Sequence, residues 1–158
     1  TAGVGFLSWT DREPTTTWSI QNTAALAYRP GEFYRRELPL ILGLLNTLEA
    51  QPSTIVIDGY VALDSHGRKG LGAHLFDAFG GGIPVVGVAK RSFKGSPHAV
   101  AIYRGQSQRP LYITALGLSS AVAAEHVQNM HGPYRHPALL KETDRLCRLG
   151  ALSQKAPT

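Results

Sequence analysis

Residues 54–90 read "TIVIDGYVALDSHGRKGLGAHLFDAFGGGIPVVGVAK". A β-branched run ends on Asp58-Gly59, and a second apolar run, "IPVVGVA", ends on Lys90. Between them lie a glycine-rich basic loop, a short apolar stretch "LGAHLFDAF" and three consecutive glycines. β-Branched residues on both faces of "TIVID" predict a strand covered on each side. The intervening stretch is long enough for a crossover helix, so the segment predicts a strand–helix–strand unit with parallel strands. In open sheets of this type ligands gather at the carboxyl ends of the strands, which is where Asp58 and Lys90 fall.

Outward from this unit, "AGVGFLSW" (residues 2–9) predicts a strand, "REPTT" a turn, and "TTWSIQNTAALA" a second strand antiparallel to the first. The spacing of Leu38, Ile41, Leu42, Leu45 and Leu48 predicts a helix from Glu37, with Pro39 in its first turn and Pro52 closing the region. "HAVAIYRG" and "RPLYITALG" are expected strands, and Ser119 is the expected N-cap of a helix ended by His131-Gly132-Pro133. A last helix is expected over residues 137–149. The expectation is an α/β domain with a mixed sheet flanked by helices, a single domain over residues 1–150 and a flexible tail over 151–158.

Composition narrows the class. At 158 residues, 43% apolar and 17% charged, the chain can bury a core and is not of disordered type. No apolar run approaches the ~20 residues of a membrane helix, and the start lacks a signal-peptide pattern. One cysteine, Cys147, excludes an internal disulfide and suits a reducing compartment, so a cytoplasmic protein with no membrane partner is expected. A net charge of +5 fits a polyanionic partner such as nucleic acid.

Several residues admit two readings. Asp58 either meets a metal, a cation or backbone donors at the strand end, or caps the following turn. Glu37 either interacts with the positive end of its helix, the commoner case, or projects toward Asp58. Lys90 either binds a phosphate or orients water, or ends its strand in solvent. Asp64 lies in a polar loop and reads as solvated. "HGRKG", with Arg68, Lys69 and Gly70, and "KRSFKG", with Phe93, suit a phosphate backbone, since glycine permits close approach. Walker-type and Gly-x-Ser-x-Gly motifs are absent, and the six histidines stand singly, with His74 read as packed and His131 and His136 as exposed. Oxygen ligands with few histidines favour Mg²⁺ or Mn²⁺.

Taken together, "AYRPGEFYRREL", "IDGYVALDSHGRKGLGAHL", "PVVGVAK", "PLYITALG" and "YRHPALLKETDRLC" resemble endonuclease V, in order and spacing across nearly the whole chain, and most closely its shorter bacterial branch. The resemblance implies an RNase H-like fold and Mg²⁺-dependent (or Mn²⁺-dependent) hydrolysis of a phosphodiester near a deaminated base, typically inosine in DNA and in some relatives RNA. It implies metal-ligand roles for Glu37, Asp58 and Asp144 and places Lys90 near the cleaved phosphate. It puts Tyr28 and Pro30 on a wedge that fills the gap left by a rotated base, and implies a base pocket of Phe33, Gly59, Gly70, Leu71, Gly87 and Phe93. One departure stands out: the family carries an earlier, central strand with a first catalytic Asp, whereas "TAGVGFLSW" matches the second strand and Gly5 replaces no carboxylate. Lack of that strand is expected to remove a metal ligand and open the core. A monomeric endonuclease is expected. The rivals are a non-catalytic module that binds deaminated or distorted nucleic acid, and a nuclease of other substrates in which Asp64 stands in for the lost acid.

Overall fold

The computed structural model describes residues 1–21, 32–94 and 96–152. Its elements are β1 (Ala2–Gly5), β2 (Thr16–Ser19), α1 (Phe33–Leu45), β3 (Ile55–Asp58), α2 (Leu71–Ala78), β4 (Val85–Ala89), β5 (Val100–Ile102), β6 (Leu111–Leu116), α3 (Ser120–Asn129) and α4 (Ala138–Leu152). They form two sheets, a two-stranded β1-β2 and a four-stranded β3-β4-β6-β5. β3 and β4 are parallel, joined over α2 as the sequence predicts, while β6 runs antiparallel to both β4 and β5.

Alternation of side chains across β3 divides the core between the two faces of the sheet. Ile55 and Ile57 pack with Leu71, Ala73, Leu75 and Val85, against which Tyr34, Leu38, Ile41, Leu42 and Leu45 of α1 also pack. Val56 lies instead with the cluster of Val86, Val88, Ile113, Ala123, Val127 and Leu139, which brings in α3 and α4. Thus α1 and α2 cover one face, and α3 and α4 the other.

β1 is shorter than the expected 2–9 strand because the Asp11 carboxylate accepts the Leu7 and Ser8 N–H groups, each at 2.9 Å, and turns the chain. α1 begins at Phe33, not at Glu37. Its apolar stripe starts a turn early with Tyr34, whose ring stacks on His74 of α2 at 3.7 Å between centroids. Glu37 therefore sits in the second turn, and its placement at the positive helix end is corrected. Pro39 lies inside the helix rather than in its first turn, at the cost of the N–H bond it would have made to residue 35. Leu48 follows the helix in a turn, with its N–H on the Leu45 carbonyl. Ser119 caps α3 as expected, accepting the Val122 N–H at 3.2 Å. The tail expected to be loose is mostly outside the described residues.

Candidate functional site at the end of β3

β3 ends on Asp58 and β4 is followed directly by Lys90; the parallel register pairs Asp58 with Val88. The two side chains therefore leave adjacent strands at the same sheet end. Lys90 Nζ donates to Asp58 Oδ2 at 2.7 Å and to Asp144 Oδ2 of α4 at 3.3 Å. Burial opposes the charge on Lys90, but the hydrogen bonds and charges of Asp58 and Asp144 outweigh it and raise its pKa above the usual lysine value. The ammonium is thus fixed as a cation between two carboxylates. The turn-cap reading of Asp58 and the solvent reading of Lys90 give way to this ion-pair geometry.

Asp58 and Asp144 stand at the rim of a cleft of about 470 Å³ that Glu37 and Phe33 also line. Residues 54–58, which include β3, and 1–7, which include β1, all contribute to its wall. Consecutive strand residues point to opposite faces, so uninterrupted runs can line one cleft only where strand edges form its walls. Ile41, Leu44 and Leu45 of α1 line it too, as do Leu139, Leu140 and Thr143 of α4. The space is a slot between two strand edges, roofed and floored by helices.

Glu37 shares this slot with Asp58 and Asp144, but its carboxylate pairs with Arg36 at 3.4 Å. Among the described residues no three His, Cys, Asp or Glu side chains form a ready-made metal cluster. A hard divalent ion nonetheless suits the donor set, because two carboxylates already converge on one positive charge.

Of the other expected site residues, Arg68 and Phe93 come together in a second group. The Arg68 guanidinium lies over the Phe93 ring, 5.3 Å from its centroid. Phe93 N–H donates to the Tyr60 hydroxyl at 3.1 Å, and that hydroxyl donates to the Arg91 carbonyl at 2.8 Å. Gly59 takes φ +143°, a conformation glycine tolerates best. A Cβ at Gly87 would fall 2.5 Å from the Gly59 carbonyl oxygen, and one at Gly70 2.5 Å from that of Tyr60, so both glycines permit close backbone packing. Leu71 is buried and lines the slot. Lys69 is held by Asp77 of α2 at 2.5 Å. Asp64 accepts the His66 and Arg68 N–H groups, each at 3.0 Å, and ties its own loop together rather than being simply solvated. Tyr28 and Pro30 lie outside the described residues.

Sequence reasoning missed three supports. Tyr60 fixes the loop after β4. Arg135 donates to the carbonyls of Lys90 at 2.6 Å and Pro110 at 2.7 Å, clamping the backbone that carries the ammonium. Arg104, only 4% exposed, donates to the carbonyls of Gln128, Met130, Gly132, Tyr134 and Arg135, so it holds the segment from which Arg135 projects. His136, expected to be exposed, is half-buried, and burial with nearby Lys90 and Arg135 lowers its pKa against the opposing pull of Asp144 and Asp58. Only Arg135 and His136 stand next to the His131-Gly132-Pro133 break, and no local sequence signal marks Tyr60 or Arg104 as a support.

The sequence pattern of the Endonuclease V family matches residues 1–129. The chain belongs to the endonuclease V family. Endonuclease V of Streptomyces coelicolor is 30% identical over 143 residues, covering 77% of this chain and 59% of the relative. That of Streptomyces avermitilis is 32% identical, with 77% and 60% covered, so the chain spans about three fifths of the length of these relatives. The crystal structure of the Streptomyces avermitilis endonuclease V superimposes with a TM-score of 0.64 at 26% identity, over 82% of this chain and 64% of that one. Ciona intestinalis endonuclease V, in complex with a 24mer DNA containing an inosine followed by a ribo-adenosine, gives a TM-score of 0.75 at 16% identity, over 90% and 75%. The fold is RNase H-like, with a mixed sheet between helices. No described helix is long and apolar enough to cross a membrane.

Proposed function

We propose that the chain is a metal-dependent endonuclease that hydrolyses a phosphodiester near a deaminated base, inosine foremost, in DNA or RNA. The observation that carries this reading is the Lys90 ammonium between the Asp58 and Asp144 carboxylates, at the end of two parallel strands and beside a slot lined by Glu37. Asp58, Asp144 and Glu37 would hold Mg²⁺ or Mn²⁺. When bound, such an ion supplies charge neutralisation on the phosphoryl oxygens and acidifies water.

The chain's own residues account for positioning. Lys90 presents a permanent positive charge to a non-bridging phosphate oxygen, and Arg135 keeps its backbone from swinging. Phe93, braced by Tyr60 and covered by Arg68, offers an aromatic surface to an extruded purine, and Phe33, 48% exposed, lines the slot. Tyr28 and Pro30 serve as the wedge. The test is incubation with inosine-containing and matched inosine-free strands, single and double, in Mg²⁺ or in EDTA. Nicking only with inosine and Mg²⁺ supports the reading, and binding without nicking defeats it.

One observation favours a second reading. β1 contributes no carboxylate to the slot, since its sequence is AGVG. A chain with two convergent acids and a half-formed site would bind deaminated nucleic acid without cutting it. Asp64 is a poor substitute, being engaged by its own loop.

A further inference from the structure

α4 turns one face to the slot and another away from it. On the outer face Lys141, Arg145 and Arg148 recur at spacings of four and three residues, which aligns them along one side of a helix. With Asp144 and Leu149 they line a shallow groove of about 310 Å³, and Asp144 belongs both to this groove and to the Lys90 cluster. The groove therefore opens directly off the charged centre.

The side chains are presented to solvent. Arg148 is 79% exposed and stands 4.0 Å from Asp144, and Arg145 is 58% exposed beside Glu142. At its Tyr134 end, Lys141 Nζ lies 4.0 Å from the centroid of the Tyr134 ring, which is itself largely exposed. An outward-facing ring backed by an ammonium and followed by two guanidinium groups has the makeup of a single-strand binding surface, where bases stack and cations follow the phosphates. From Lys141 to Arg148 the helix rises about 10 Å, enough for roughly three phosphates of a stacked strand.

We propose that this groove binds the phosphodiester backbone of a single nucleic-acid strand as it leaves the Asp58–Lys90–Asp144 cluster, with one base stacked on Tyr134. The inference rests on the nucleic-acid partner proposed above, but not on cleavage or on recognition of inosine. Guanidinium groups match phosphate oxygens in pairs, so the contact is indifferent to sequence.

The test is fluorescence anisotropy of the intact chain with a fluorescein-labelled single strand lacking inosine, in EDTA, over a range of KCl concentrations. The combined K141Q/R145Q/R148Q variant is expected to flatten the plot of log affinity against log salt by about 2, at ~0.7 per lost phosphate contact. K141Q/R148Q, which spares the Arg145–Glu142 pair, should lose about two thirds of that. Tyr134→Ala should weaken binding about tenfold and leave the slope unchanged. Melting temperatures establish that each variant is folded. An unchanged slope in both charge variants overturns the proposal, as does poly-glutamate binding as tightly as the oligonucleotide. If the slope falls but inosine strands are never nicked, the track stands and the nuclease reading falls.

Discussion

β3 and β4 are neighbouring parallel strands of similar composition, yet they sit in different surroundings. β4 is paired on both sides, by β3 and β6, and all five of its residues are buried. β3 pairs with β4 alone among the described strands, and its burial falls away toward Asp58. Its other edge forms the wall of the slot facing β1. The closed side of the sheet gives the rigidity, and the open side displays the charges. At such an edge the Asp58 side chain, 60% exposed, avoids the desolvation cost that a site within β4 would impose.

The contrast is sharpest when chemistry is separated from stability. Replacing Lys90 by Met should reduce nicking about a thousandfold, equivalent to ~4 kcal/mol of transition-state stabilisation. The melting temperature should barely move, because exposed ion pairs contribute little. A large drop in melting temperature would show that the cluster is a structural clasp rather than a working site.

On the closed side the expectation reverses. Gly87→Ala places a methyl group against the Gly59 carbonyl, Val61 N and Thr114 Oγ1, and should cost about 3 kcal/mol in urea unfolding. Gly3→Ala at the slot would meet only the Leu44 methyl groups, the nearer at 3.1 Å, and should cost under ~1 kcal/mol because that side chain can move into open space. Equal costs would remove the distinction between the two sides.

The smallest expected effect concerns pH. His74, between α1 and α2, has its pKa lowered first by burial and then by Lys69. The unfolded chain therefore takes up this proton before the folded one. Stability should fall as pH drops from about 6.5 through the lowered folded value and then level off. His74→Phe, which keeps a ring against Tyr34, should remove that part of the slope in thermal melts.

Much of the closed side was legible in the sequence because its signals are local. β-branched runs marked β3 and β4, the glycine triplet marked the end of α2, and Ser119 marked the start of α3. The start of α1 was not legible, because Tyr34 joins the helical stripe by stacking on a histidine 40 residues later in the chain. The candidate site was legible as residue types, through the family resemblance, but not as bonds. Lys90 reaches partners 32 and 54 residues away, and no local pattern encodes that convergence. Arg104 carried no local signal of its role, although it is buried against five carbonyl groups supplied by residues 128–135.

The account depends most on Asp58 and Asp144 acting as one centre at the open edge. Single-turnover nicking of an inosine-containing strand in Mg²⁺, by the unmodified chain and by Asp58→Asn and Asp144→Asn, tests this directly. Cleavage by the unmodified chain, with a loss of about a thousandfold or more in each variant and unchanged melting temperatures, is the predicted result. Equal rates in all three proteins, or no cleavage by any of them, would contradict it.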